Sequence, residues 1–116
     1  MEKLKFPFVE FGFNHELLER KGKICLVKRS LKDNSGTWHY EVVRLLDLPP
    51  RTMPSGLSYP EREGYPPSST WGQHGFTYGR FDQRRALVKF AELVKKEEAY
   101  AAEAGLLAKN DLAQHP

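Results

Sequence analysis

The sequence predicts an α+β fold in which a small antiparallel sheet covers one long helix. Three observations predict it. Two β-rich runs, "KICLVKRSL" and "TWHYEVVRLL", flank the turn-forming "KDNSG". "GFTYG" at 75–79 offers a further short strand. From Asp82 the apolar period changes, and Leu87, Phe90, Ala91 and Val94 fall at i, i+3, i+4 and i+7, one stripe of an amphipathic helix.

Residues 1–22 form an N-terminal arm in which "KFPFVEFGF" reads as an edge strand or an aromatic arm. "NHELLERKG" resembles a short helix, with Asn14 as cap and Gly22 as stop. A β-hairpin follows over about 23–46, since Asp, Asn, Ser and Gly favour a turn and Gly36 is free to take positive φ. If Asp33–Gly36 is the loop, Leu31 faces Trp38, Arg29 faces Tyr40 and Val27 faces Val42. The other surface then pairs Ser30 with His39, Lys28 with Glu41 and Leu26 with Val43. Residues 47–74 hold six of the eight prolines, which predicts a long irregular connection. The helix is expected over about 82–104, with Asp82 as N-cap, Gly105 as stop and 105–116 as a frayed tail.

At 116 residues the chain fits a single domain, 1–116. Val27, Trp38, Tyr40 and Val42 from the hairpin, with Leu87, Phe90, Ala91 and Val94 from the helix, form the expected core. Each large apolar side chain contributes about 1.5–3 kcal/mol when buried. Eight such positions do not offset the ordering entropy of the whole chain. The rings of the proline-rich segment are therefore expected to help close the interior.

Composition narrows the function. No apolar run is long enough to span a bilayer. The start, "MEKLKFPFVEFGF", lacks the pattern of a secretory signal, and the lone Cys25 suits a reducing compartment, so a cytoplasmic setting is expected. His15, His39, His74, His115 and Cys25 are too dispersed for a metal site, and no phosphate-binding glycine loop is present. Cys25 reads as a small buried hydrophobe, and Glu61 and Glu63 as a solvated loop edge. No catalytic residue, cofactor or metal is expected.

The net charge of +3 is small, but its distribution is uneven. Arg20, Lys21, Lys23, Lys28, Arg29 and Lys32 occur without an intervening acid, and Arg80, Arg84, Arg85 and Lys89 gather at the helix start. Between these clusters lies "YPPSSTWGQHGFTYGRF". One reading buries Trp71, Phe76, Tyr78 and Phe81 in the core, with glycines permitting tight bends. The other leaves Tyr65, Trp71, His74 and Tyr78 on the surface beside Arg80, Arg84 and Arg85, where rings and cations suit nucleic acid or a protein hot spot.

"HYEVVRL", followed at a distance by "YPPSSTWGQHGFTYGRFDQRRALVKFAEL", resembles small, largely uncharacterised proteins encoded by bacteriophages and prophages. The matching residues are Tyr40 to Val43, Tyr65, Pro66, Ser68, Trp71, Gly72, Gly75 to Tyr78, Ala86 and Phe90. The likeness covers about half of the chain and implies a mobile-element setting without assigning an activity.

The sequence thus reads first as a non-catalytic macromolecular binder of phage type, a host-directed inhibitor such as a defence-system antagonist acting by protein contact. The alternative is a nucleic-acid-binding accessory protein. The candidate partner-binding residues are Lys28, Arg29, Tyr65, Trp71, His74, Tyr78, Arg80, Arg84 and Arg85, of which the nucleic-acid reading uses Lys28, Arg29, Arg80, Arg84 and Arg85. A small enzyme acting through His74 or Cys25 is a third reading. Ala99, Tyr100, Ala101, Leu106 and Leu107 offer a homodimer contact along the C-terminal helix. Trp71→Ala is expected to lower stability by about 3 kcal/mol or more through cavity formation, seen as a lower melting temperature.

Overall fold

The computed structural model of the chain describes residues 1–33 and 36–114, with side chains as far as residue 105. The elements are β1 (Phe8–Glu10), β2 (Phe13–Lys21), β3 (Ile24–Leu31), β4 (Trp38–Arg44), β5 (Leu46–Leu48), β6 (Arg51–Thr52), β7 (Ser58–Tyr59), β8 (Arg62–Gly64), β9 (Gly75–Gly79) and α1 (Gln83–Gln114). An antiparallel five-stranded sheet runs β1-β2-β3-β4-β9. Its two faces are covered differently, and this asymmetry positions the site.

On one face lies α1. Ile24, Leu26, Tyr40 and Val42 meet Ala86 and Phe90, with Trp38, Tyr78, Leu93 and Val94 packed around them. The opposite face carries Cys25, Val27, Val43 and Leu45 beneath Leu4, Phe6, Leu17, Tyr65 and Trp71. The rings of the proline-rich segment do help close the interior, but they cover the face away from the helix.

The α+β class, the hairpin and the 75–79 strand agree with the sequence reading. The hairpin register does not. Arg29 pairs with His39, Lys28 with Tyr40, Val27 with Glu41 and Leu26 with Val42, one residue away from the expected alignment. The expected loop included Asn34 and Ser35, which lie outside the described residues. Because side chains alternate, a one-residue slip sends Val27 to the face opposite Tyr40 and Val42. Leu26 and Ile24 take its place against the helix.

The expected helix over 14–22 is a strand. Phe13, His15 and Leu17 point to the sheet face away from α1 with period two, and Gly22, at φ 59°, turns β2 into β3. Leu18 is an extra residue in β2, since the register passes from Leu17↔Val27 to Glu19↔Leu26. The "KFPFVEFGF" arm supplies β1, an edge strand paired to β2.

Helix α1 begins at Gln83, directly after Asp82, whose carbonyl accepts the amide of Ala86 at 3.1 Å. It continues through Gly105 to Gln114, past the stop expected there and along much of the segment expected to fray. One glycine costs a helix interior only about 1 kcal/mol, too little to end it unaided. The buried stripe is Ala86, Phe90, Leu93 and Val94, whereas Leu87 is 42% exposed and Ala91 faces solvent. Half-buried Arg44 and Glu97 pair across the helix–sheet boundary.

The 47–74 connection is less irregular than expected. β5 pairs with β8, and β6 pairs with β7, in two small ribbons. The N-terminus adds to the first ribbon: the Glu2 amide donates to Glu61 O at 3.0 Å, and the Glu63 amide donates to Glu2 O at 2.8 Å.

These packing assignments separate two substitutions that the apolar period alone treats alike. Phe90→Ala is expected to cost about 3–5 kcal/mol by opening a cavity. Leu87→Ala is expected to change stability by no more than about 0.5 kcal/mol. Urea unfolding of the two variants measures both.

Candidate functional site

Registration across the sheet builds the site. Phe8, His15, Arg29, His39 and Gly79 are successive partners across β1, β2, β3, β4 and β9. The next row on the same face is Leu17, Val27, Glu41 and Thr77. Both rows face away from α1. Their polar members form the floor of a cavity of about 660 Å³. Tyr65, Pro66, Pro67, Ser68 and Trp71 supply one wall, and Glu10 and Phe11 close the end. The size and apolar walls suit a ligand pocket with a few placed polar groups.

Glu41 is the centre of this floor. It is 1% exposed, and its Oε2 accepts bonds from Arg29 Nη1 at 3.1 Å and His39 Nε2 at 3.1 Å. Its Oε1 accepts the Tyr65 hydroxyl. Burial would raise the carboxyl, but the bonds from His39, Tyr65 and Arg29 outweigh it and hold Glu41 below the usual carboxylate range. Burial, with Glu41 alongside, pushes the Tyr65 phenol well above its ordinary value, so it stays a neutral donor.

His15 is 3% exposed, stacked on Phe8 with centroids 4.3 Å apart and edge-on to Tyr65 at 5.1 Å. Burial first, and then the Arg29 charge, lower its pKa, against smaller opposing effects of Glu41, the Phe13 backbone and Glu10. The Arg29 guanidinium lies 3.9 Å from the Phe13 ring centroid. His15 Nδ1 and Arg29 Nε are buried without a hydrogen-bond partner among the described residues. Such atoms cost about 1–3 kcal/mol each unless a ligand or solvent satisfies them.

The wall is fixed from below. Trp71 Nε1 donates to Thr77 Oγ1 at 2.8 Å, and the indole lies so close to Gly75 that a Cβ there would meet it at 2.5 Å. The rim is strained. Phe11 and Gly12 are the two residues between partners Glu10 and Phe13, and both take positive φ, 53° and 79°. That turn favours Asn-Gly or Gly-Gly. A phenylalanine there costs roughly 1–2 kcal/mol, yet the Phe11 ring stands 86% exposed beside the cavity.

The nine residues singled out from sequence fall into three places. Arg29, Tyr65 and Trp71 line the cavity. Lys28, Tyr78, Arg80, Arg84 and Arg85 belong to the helix side and the β9–α1 corner. There Lys28 lies over Trp38 at 4.8 Å, Arg80 over Phe81 at 4.8 Å and Arg85 over Tyr78 at 5.9 Å, while Arg84 is exposed. Lys89 over Phe76 at 4.7 Å continues the series. His74 lines a separate cavity of about 400 Å³ with Arg44, Glu97 and Tyr100. Cys25 is fully buried, and burial pushes its thiol to about 11, so it is not a thiolate at neutral pH.

Sequence reasoning missed His15, His39 and Glu41 as a unit. His39-x-Glu41 on a strand does place both on one face, but the slipped register set them opposite Ser30 and Lys28. The helical reading of 14–22 removed His15 from the sheet altogether.

No protein-family model matches the chain, and no curated protein or solved structure matches it. No helix among the described residues is long and apolar enough to cross a membrane.

Glu63, expected on a solvated edge, is instead a second buried carboxylate, 5% exposed. Arg20 Nη2 and Lys23 Nζ donate to it at 2.6 Å each, and the Leu4 amide at 3.1 Å, joining the N-terminus, the β2–β3 turn and β8. Burial opposes ionisation, but these bonds prevail and hold its pKa at about 2. A carboxyl whose folded pKa is depressed stabilises the fold above its unfolded pKa and loses that contribution as pH falls through the folded value. Stability is therefore expected to decline from about pH 4.5 towards pH 2. Glu63→Gln should flatten this part of the profile in thermal melts recorded at successive pH values.

Proposed function

We propose that the protein binds single-stranded nucleic acid across the β9–α1 corner and into the adjoining cavity. The observation that carries this reading is the run of cations seated on aromatic rings: Arg80 on Phe81, Arg85 on Tyr78, Lys89 on Phe76 and Lys28 on Trp38. Phe81 itself is 88% exposed. Rings offer stacking faces to bases while the cations meet phosphates, and this combination tolerates many sequences. The corner and the cavity meet along β9, whose Thr77 lines the cavity and whose Gly79 pairs with His39 just before Arg80–Phe81. Arg29 and the rings of Tyr65, Trp71 and Phe11 extend the same chemistry inward.

A second reading is a protein partner, with the chain acting as a host-directed inhibitor such as a defence-system antagonist. Favouring it, β9 is an edge strand of the five-stranded sheet, a place where a partner strand can add. The resemblance to phage-encoded proteins supplies the setting.

Titration with single-stranded oligonucleotides over a salt series tests the first reading. Affinity is expected to fall steeply with salt. Replacing Arg80, Arg84 and Arg85 together by alanine should lessen the slope by about 0.7 for each phosphate those side chains neutralise. Phe81→Ala should weaken binding by about 1–3 kcal/mol if a base stacks there. Absent or salt-insensitive binding would favour the protein partner.

A further inference from the structure

We propose that His15, Arg29 and His39 form a catalytic row that cleaves single-stranded RNA by transferring its phosphodiester to the neighbouring 2′-hydroxyl. This rests on the nucleic-acid reading above and adds a reaction to it.

His15 is the direct partner of Arg29, and Arg29 of His39. Adjacent strands lie about 4.8 Å apart, so two histidines flank one arginine along a row spanning roughly 10 Å of sheet. All three side chains line the same cavity. Phosphoryl transfer in line needs a base on one side of phosphorus, an acid on the other, and positive charge at the non-bridging oxygens. The row presents those three functions in that order.

The hydrogen bonds already made leave the required atoms unused. Glu41 takes Arg29 Nη1 and His39 Nε2, which fixes both side chains from beneath. Arg29 Nε and His15 Nδ1 are buried and unpartnered, and His15 is itself 3% exposed. Both are polar atoms that only a ligand or solvent drawn beneath the present surface would satisfy. Thr77, in the floor, accepts the Trp71 indole N–H, and the attacking oxygen is assigned to the substrate.

The step balances. His15, kept neutral by its surroundings, accepts the 2′-hydroxyl proton as the 2′-oxygen bonds to phosphorus. Arg29 stabilises the charge on the equatorial oxygens. The bond from phosphorus to the 5′-oxygen breaks, and that oxygen takes a proton from His39, which is held in place by its hydrogen bond to Glu41. The products are a 2′,3′-cyclic phosphate and a 5′-hydroxyl, and solvent returns the protons. Nothing is oxidised or reduced. DNA, lacking the nucleophile, is bound but not cut.

The test incubates the full chain with an end-labelled single-stranded RNA oligonucleotide in a chelating buffer, beside its 2′-O-methyl counterpart. Binding of both is measured in parallel. Cleavage of the RNA alone, yielding the two named ends, is expected. His39→Ala and His15→Ala should each reduce it about 10²- to 10⁴-fold, and His39→Gln, whose amide can still donate to Glu41, should do so while the chain stays folded and binds the oligonucleotide. If His15→Ala does not fold, the wild-type pH profile replaces it. The rate should fall on the acid side as His15 gains a proton among Arg29, Glu41, Glu10 and Tyr65. RNA bound but left intact overturns the cleavage and leaves the binding reading standing. Cleavage that persists in His39→Ala, or that stops with chelator, also overturns it. RNA neither bound nor cut removes both.

Discussion

A carboxylate that is 1% exposed must be surrounded by donors or it will not remain ionised. Glu41 meets that requirement from three directions, through Arg29 on β3, His39 on its own strand and Tyr65 on the proline-rich segment. The last bond determines the architecture beyond the sheet. A segment rich in proline has few amides with which to join the main sheet, so beyond its two small ribbons side-chain bonds help to locate it. Tyr65 on Glu41, and Trp71 on Thr77, hold that segment over the face opposite the helix. The cavity is the space left between this wall and the polar floor.

The sheet is thus used twice. Its helix side is filled by aliphatic and aromatic packing around Phe90, Val42 and Ile24. Its other side mixes a small apolar cluster with two buried carboxylates, Glu41 and Glu63, each held by basic partners. Buried ion pairs contribute little net stability compared with apolar packing, because desolvation offsets the attraction. Removing one partner is costly all the same, so these networks specify arrangement more than they add strength. The strained turn at Phe11 fits the same division, since a residue there that relieved the backbone would also remove an exposed ring from the cavity mouth.

Periodicity made the broad fold legible. The hairpin, the 75–79 strand and the long helix each carry a local signal strong enough to survive without tertiary information. The site was less legible because it depends on register, and register is set by contacts between strands. Arg29 and His39 read correctly as residues of one hairpin, yet a slip of one position separated them. His15 was lost for another reason: "NHELLERK" has helix-favouring composition, and only pairing with β3 makes it a strand. Trp71 and Tyr65 were recognised as important rings, but which sheet face they would cover has no signature in local sequence.

The extra residue at Leu18 has an evolutionary implication. On either side of it, β2 keeps the alternation that turns His15 and Leu17 towards the cavity face and sets Arg20 opposite Cys25, within reach of Glu63. A strand shortened by that single position would preserve both orientations, because the bulge absorbs the odd residue without exchanging faces. The two buried carboxylates are in this sense insulated from each other. One hairpin end can gain or lose length there while the chemistry at the other remains in phase.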